Sequence, residues 1–277
     1  MNMLRRSLVL FLLLATLTIF KAEAATVDTV LTHSIVMNKD IKAVVIKPDG
    51  YSANHKFPVL YLLHGYSGSY SDWILKAPAI KDLADLYHIL IVCPDGNFAG
   101  WYFDSPVDKA SQYETYIAKE LINYVDRHYT TINTRWGRAI TGLSMGGHGA
   151  LYLAFKHQDV FGAVGSMSGG VDIRVFSDSF GIENVLGKYS EYPERWEKNS
   201  VTNLVYLLKP KSLAIIFDCG YDDFMFRTNM ELHEKLRNQN IPHDFIIRPG
   251  GHTWEYWGNS INYQALFFSK FFNRNKE

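Results

Sequence analysis

Apolar residues fall along the chain in two alternating kinds of run. Short, nearly continuous runs occur in "FPVLYLLHG" (57–65), "HILIVCPDG" (88–96), "RAITGL" (138–143), "FGAVGSMSG" (161–169), "KSLAIIFDCG" (211–220) and "HDFIIRPGG" (243–251). Each is too short for a core helix and lacks polar alternation, which predicts strands buried on both faces. Between them lie stretches with apolar residues at helical spacing, in "APAIKDLADLY", "FRTNMELHEKLRNQN" and "GNSINYQALFFSKFF". In "YETYIAKELINYVDRHY", Tyr113, Tyr116, Ile117, Leu121, Tyr124 and Val125 form one stripe, and the Glu and Lys residues are expected on a solvated face. Near the start, "TVLTHSIVM" and "IKAVVIKP" flank the polar "NKD" and predict an antiparallel hairpin. The alternation predicts an α/β fold: a mostly parallel central sheet with helices on both faces, opened by that hairpin. In such sheets ligands gather at the carboxyl ends of the strands. Residues 168–210 interrupt the rhythm with aromatics among polar residues, and are expected to form either a lid-like insertion over the site or a surface excursion.

Composition narrows this picture. The 277 residues, 47% hydrophobic and 20% charged, suit one large core, so residues 25–277 are expected to form a single domain. A formal net charge of zero, with no basic run, removes the footprint that nucleic acid or an anionic membrane would require. Arg5 and Arg6 precede the apolar "SLVLFLLLATLTIF", and Ala22 and Ala24 follow in an Ala-x-Ala arrangement. This is the layout of a signal peptide spanning 1–24, cleaved after Ala24 or Ala25, and it predicts a periplasmic or secreted protein with no membrane attachment after cleavage. An uncleaved anchor is the competing reading, but the apolar run is short for a full span. Cys93 and Cys219 both lie in apolar runs and are expected to be buried free thiols, although an exported protein could also bridge them. No Cys-x-x-Cys, His-Glu-x-x-His or P-loop Lys-Ser/Thr occurs, so no metal and no cofactor is expected.

The chemistry concentrates in "AITGLSMGGHGALYLAF" (139–155). A strand that ends in Gly-x-Ser-x-Gly and turns abruptly into a helix lifts one hydroxyl above the sheet, which makes Ser144 a candidate nucleophile. A serine needs a base to take its proton and a carboxylate to orient that base. In the Ser, acid, His order, His252 follows one strand end as base, and Asp218, Asp222 and Asp223 are offered by another. Asp218 lies within the strand, and Asp222 and Asp223 are adjacent, so the residues alone leave the acid open. Oxyanion donors are expected from the backbone N–H groups of Met145 and Tyr66. His64 fits a role in shaping that turn. His148, His157, His233 and His243 read as structural.

Together, "YLLHGYSGSYSDW", "PDGNFAGWYFDSP", "GLSMGGHGALYLAF", "DCGYDDF" and "PGGHTWEYW" resemble the esterase D and putative-esterase branch of the α/β-hydrolases. That branch includes S-formylglutathione hydrolases, tributyrin and feruloyl esterases and the antigen 85 mycolyltransferases. The resemblance runs from about residue 28 to 272. It implies an α/β-hydrolase fold, with Ser144 as nucleophile, His252 as base and Tyr66 and Met145 as oxyanion donors. It also selects Asp223, three residues beyond the glycine of the "CG" turn. Trp101, Tyr102 and Asp104 fall where relatives line the cleft and, with His64, are candidate substrate contacts. The apparent export signal departs from the glutathione-dependent members. The expected function is therefore an exported serine carboxylesterase, by analogy one that removes acetyl or feruloyl groups from polysaccharides. An acyltransferase or a siderophore esterase would use the same acyl-enzyme. A carbohydrate-binding or adhesion protein that has lost catalysis would have no use for the ordered triad.

Overall fold

The computed structural model describes residues 24–274. The expected signal segment, up to residue 23, lies outside them. Eight strands form one sheet: β1 (Thr26–Ser34), β2 (Lys39–Lys47), β3 (Val59–Leu63), β4 (Leu90–Pro94), β5 (Arg138–Gly142), β6 (Ala163–Met167), β7 (Ala214–Gly220) and β8 (Asp244–Arg248). Their spatial order is β1-β2-β4-β3-β5-β6-β7-β8, with β1/β2 and β2/β4 antiparallel and every other pair parallel. The helices are α1 (Asp72–Lys76), α2 (Ile80–Tyr87), α3, α4 (Met145–Lys156), α5 (Ile182–Leu186), α6 (Pro193–Asn199), α7 (Val201–Leu204), α8 (Phe226–Asn238) and α9 (Trp254–Arg274). Helix α3 runs through Tyr113–Thr115, a π-helical Tyr116–Leu121 and Ile122–His128.

The continuous apolar runs follow from packing on both sides. Along β3, Val59, Tyr61 and Leu63 join a core with α3, α4 and α8, while Leu60 and Leu62 join another with α2 and α9. β8 departs from the expectation of burial: it is the sheet's edge strand and only half buried, with Ile247 turned outward. Cys93 and Cys219 are free and buried, and burial pushes both thiols well above their ordinary range.

Two acidic residues of α3 are not on a solvated face. Glu120 accepts hydrogen bonds from the Ser34 hydroxyl and from the N–H groups of Ile35 and Val36. It thereby ends β1 at Ser34 and leaves Ile35 80% exposed in the hairpin turn. Glu114 accepts from Tyr152, Lys156 and His157. Burial alone would raise its carboxyl, but the hydrogen bonds from His157, Lys156 and Tyr152 bring it down to about 2.

The stretch 168–210 is a packed layer. Ile182, Val185, Leu186, Trp196 and Val201 are buried in the core that holds α4. Asp172 gathers Arg174, Ser200 and Thr202 around its carboxylate. Its Phe176–Phe180 tip lies at the carboxyl end of the sheet, where it meets Phe224 and Tyr66.

Candidate active site

Ser144 sits between β5 and α4 at φ 53°, a left-handed conformation that is strained for a residue bearing a Cβ. Its surroundings impose that strain. The Ser144 N–H donates to the Met167 carbonyl (2.9 Å), and the Ser144 carbonyl accepts from His148 (3.0 Å) and Gly170 (3.2 Å). Gly146 permits the tight turn, because a Cβ there would lie 2.5 Å from the His64 carbonyl oxygen.

Ser144 Oγ lies 2.9 Å from His252 Nε2, and His252 Nδ1 lies 2.9 and 3.0 Å from the two oxygens of Asp223. Asp223 is buried and also accepts from the Met225 N–H at 2.8 Å. The loops that carry Asp223 and His252 are laced together: the Tyr221 N–H donates to the Arg248 carbonyl and the Asp222 N–H to that of Gly250. Close approach of the two loops requires Gly220, since a Cβ there would stand 2.2 Å from the Gly250 carbonyl oxygen. The three aspartates are thus separated in space. Asp223 meets the histidine, Asp222 is exposed, and Asp218 is buried within β7. Such a chain of contacts can pass a proton from a serine to a histidine whose other nitrogen is held by a carboxylate. The backbone N–H groups of Tyr66 and Met145 make no hydrogen bond among the described residues.

Trp101, Tyr102, Asp104 and His64, expected as substrate contacts, do not line the cleft. Trp101 and Tyr102 are buried, in left-handed conformations, and Tyr102 fills the space above Gly149, where a Cβ would lie 2.3 Å from its ring. The Trp101 indole donates to the Phe180 carbonyl, and the Tyr102 hydroxyl donates to that of His64. Asp104 accepts from the N–H and hydroxyl of Thr115 in α3. His64 Nε2 accepts from the Gly96 N–H while Nδ1 donates to the Gly65 carbonyl, so it braces the turn that carries Tyr66. Burial lowers its pKa. Trp101, Tyr102 and Phe103 pack inward against α4, whereas Phe98 is exposed and meets Tyr66 edge-on, so the buried part of the loop serves to hold others in place.

The cleft, about 470 Å³, has two unlike walls. One is aromatic: Phe180 and Phe224 lie with centroids 6.3 Å apart and planes 12° from parallel, and Tyr66 meets Phe180 edge-on. The other carries the Lys76–Asp72 ion pair (2.9 Å), with Lys76 over the Trp254 ring. Apart from Tyr66, expected for its backbone N–H, sequence reasoning missed these residues. Phe224 and Trp254 stand within two positions of Asp223 and His252, a signal that was available; nothing in the sequence marks Phe180 or Lys76. Among the described residues no group of three or more His, Cys, Asp or Glu could hold a metal ion, and no helix is long and apolar enough to cross a membrane.

Behind the elbow, His148 is fully buried against Trp101, Phe103 and Tyr152, with Nδ1 3.0 Å from the Gly170 carbonyl. Burial lowers its pKa to about 4. A base whose folded pKa is depressed binds fewer protons in the native than in the unfolded state, so the stability it supports is lost as pH falls from 6.5 toward 4. The expected loss is about 3 kcal/mol across that window. Urea melts at pH 7.5 and 4.5 should show it, with a smaller pH difference in His148→Asn. Equal pH dependence in both proteins would assign the loss elsewhere.

Residues 34–268 match the family described as Putative esterase. An acetyl esterase from Caldicellulosiruptor saccharolyticus is 29% identical over 223 residues, covering 76% of this chain and 83% of that protein. The solved structure of a ferulic acid esterase shares 31% identity and a TM-score of 0.77 over 90% of this chain and 99% of its own. A fluorophosphonate-binding serine hydrolase from Staphylococcus aureus, 20% identical, aligns with a TM-score of 0.79 over 89% of this chain and 99% of its own, a likeness of fold alone. With its sheet order, its strand-to-helix serine turn and a family match over most of its length, the chain is an α/β-hydrolase that belongs to the Putative esterase family, a serine hydrolase of carboxylic esters.

Proposed function

We propose that Ser144, His252 and Asp223 are the catalytic triad of an exported carboxylesterase. The observation that carries this reading is the unbroken line from Ser144 Oγ through His252 to Asp223, opening on the cleft. Because Asp223 is an acceptor, Nδ1 carries the ring proton and Nε2 is free to take the serine's. Ser144 Oγ attacks the ester carbonyl as its proton passes to Nε2, and the oxyanion is received by the N–H groups of Tyr66 and Met145. The imidazolium then protonates the departing alcohol. Water, activated by the same nitrogen, releases the acid from the acyl-enzyme.

Acetyl or feruloyl esters of polysaccharides are the substrates this reading favours. The aromatic wall suits a flat acyl group, and the wall of Lys76, Asp72 and Trp254 suits a hydroxyl-rich alcohol. Export has one further support: the Ala25 nitrogen lies 3.0 Å from Asp85 Oδ2, so cleavage after Ala24 would place the new ammonium group on a carboxylate.

Fluorophosphonate labelling with peptide mapping, alongside turnover of p-nitrophenyl acetate and methyl ferulate, tests the assignment. Label is expected on the Ser144 peptide. Phe180→Ala is expected to lower kcat/KM for the ferulate about tenfold more than for the acetate, the scale of lost apolar contact in a pocket. A folded protein that takes no label and turns over neither ester would sink the reading.

A further inference from the structure

Beneath the site lies a buried polar network that nothing in the triad mechanism uses. Gln264 of α9 is fully buried and spans three adjacent strands. Its Oε1 accepts from the Thr141 hydroxyl of β5, and its Nε2 donates to the Ser166 carbonyl of β6 (3.0 Å) and to Asp218 Oδ2 of β7 (2.7 Å). Asp218 Oδ1 accepts from the Ser260 hydroxyl, one turn earlier on α9 (2.6 Å), and pairs with Arg248 of β8 at 2.9 Å. The Arg248 guanidinium is covered by the rings of Tyr256 and Tyr263, and its Nε and Nη1 have no hydrogen-bond partner among the described residues.

The placement along the chain gives this network its meaning. Thr141 precedes Ser144 by three residues, Asp218 precedes Asp223 by five, and Arg248 precedes His252 by four. The Asp218 carbonyl also accepts the Ser168 N–H, next to Met167, whose carbonyl takes the N–H of Ser144. Helix α9 therefore holds β5 and β7 through directional bonds, and β8 joins them through the Asp218–Arg248 ion pair, so the strand end behind each member of the triad is tied to one network. A buried ion pair is a costly way to stabilise a core, and apolar side chains of similar volume often do as well or better. Hydrogen bonds add what apolar packing does not, a fixed register between elements.

Resting on the triad reading above, we infer that Gln264 and the Asp218–Arg248 pair are positioning residues: they set the spacing of Ser144, Asp223 and His252 from beneath, without touching substrate. Catalysis is steep in such spacing, and a misplacement of about 1 Å can cost about 100-fold in rate.

The test separates position from stability. Thr141→Val cuts the Thr141–Gln264 link alone, and Gln264→Leu cuts it together with the bonds to Ser166 and Asp218. Each is expected to lower kcat for p-nitrophenyl acetate about 10- to 100-fold, with KM within about twofold of wild type because no cleft residue changes. Arg248→Met strands the buried Asp218 carboxylate and is expected to lower both Tm and kcat. In the double variant Asp218→Leu/Arg248→Met no charge is stranded, so Tm should recover while kcat stays low. Recovery of kcat together with Tm, or wild-type kcat in Gln264→Leu or Thr141→Val, would overturn the inference. If Gln264→Leu or the double variant does not fold, Thr141→Val decides alone, since it removes one hydroxyl and keeps the side-chain shape. Ser144→Ala, measured in parallel, tests the underlying triad reading on its own.

Discussion

Ser144→Ala is expected to lower kcat for p-nitrophenyl acetate by about 10⁴- to 10⁶-fold, the range seen when the nucleophile of a serine hydrolase is removed. The fold should be almost untouched. Among the described residues the only side-chain hydrogen bond of Ser144 is to His252, and the bonds that pin the elbow, to Met167, His148 and Gly170, all use its backbone. Alanine at φ 53° bears the same Cβ strain as serine, so that cost is common to both proteins. A small residual rate over water is expected, because the two backbone N–H donors and the cleft survive the substitution. Steady-state kinetics, fluorophosphonate labelling and a thermal melt on one preparation decide the matter. Loss of label and turnover with an unchanged melt assigns the nucleophile; turnover above about one per cent of wild type, far beyond what the residual machinery supports, removes Ser144 from that role.

What was legible in the sequence, and what was not, divides along a physical line. The strands of the sheet centre are readable because β3, β4, β5, β6 and β7 are buried on both faces and mostly apolar, and the turns beyond them carry the glycines and polar residues that close approach demands. The order serine, acid, histidine is readable for the same reason, since Ser144, the Asp222–Asp223 pair and His252 each stand just past a strand end; only the family resemblance singled out Asp223. Side-chain direction was not readable. Trp101 and Tyr102 stand in a loop next to the site, yet their left-handed backbone turns them inward, and a sequence does not display φ. Glu114 and Glu120 fit a polar helix face by spacing, but their partners come from α4 and the β1–β2 hairpin, contacts that helical periodicity does not encode. Gln264 is the extreme case: one amide in an amphipathic helix reads as surface, and only the assembled sheet shows it bonded to three strands.

The second large effect is expected at Asp223, and it doubles as a test of the adjacent pair that the residues alone left open. Asp223→Asn should cost about 10³- to 10⁴-fold in kcat, as loss of the acid does in serine proteases. The cause is tautomeric. Asp223 Oδ1 accepts the Met225 N–H, and Oδ2 is the oxygen nearer His252 Nδ1, at 2.9 Å against 3.0 Å, so an asparagine that keeps its oxygen on Met225 sets its NH₂ group in the Oδ2 place against Nδ1. Nδ1 must then become the acceptor, the ring proton moves to Nε2, and the nitrogen facing Ser144 can no longer take a proton. Helix α8 keeps the hydrogen bond at its start, so the melt should move little. Asp222→Asn is expected to stay within about threefold of wild type, a surface change of small energetic consequence. Asp222 is exposed, and its bond to the Gly250 carbonyl uses a backbone N–H that asparagine retains. Measuring kcat for both variants beside their melts gives a ranking. A larger loss at Asp222 would mean that the acid loop in the working enzyme is turned by one residue from the arrangement described. A small loss at both would mean that Ser144 and His252 work without an orienting carboxylate from this loop.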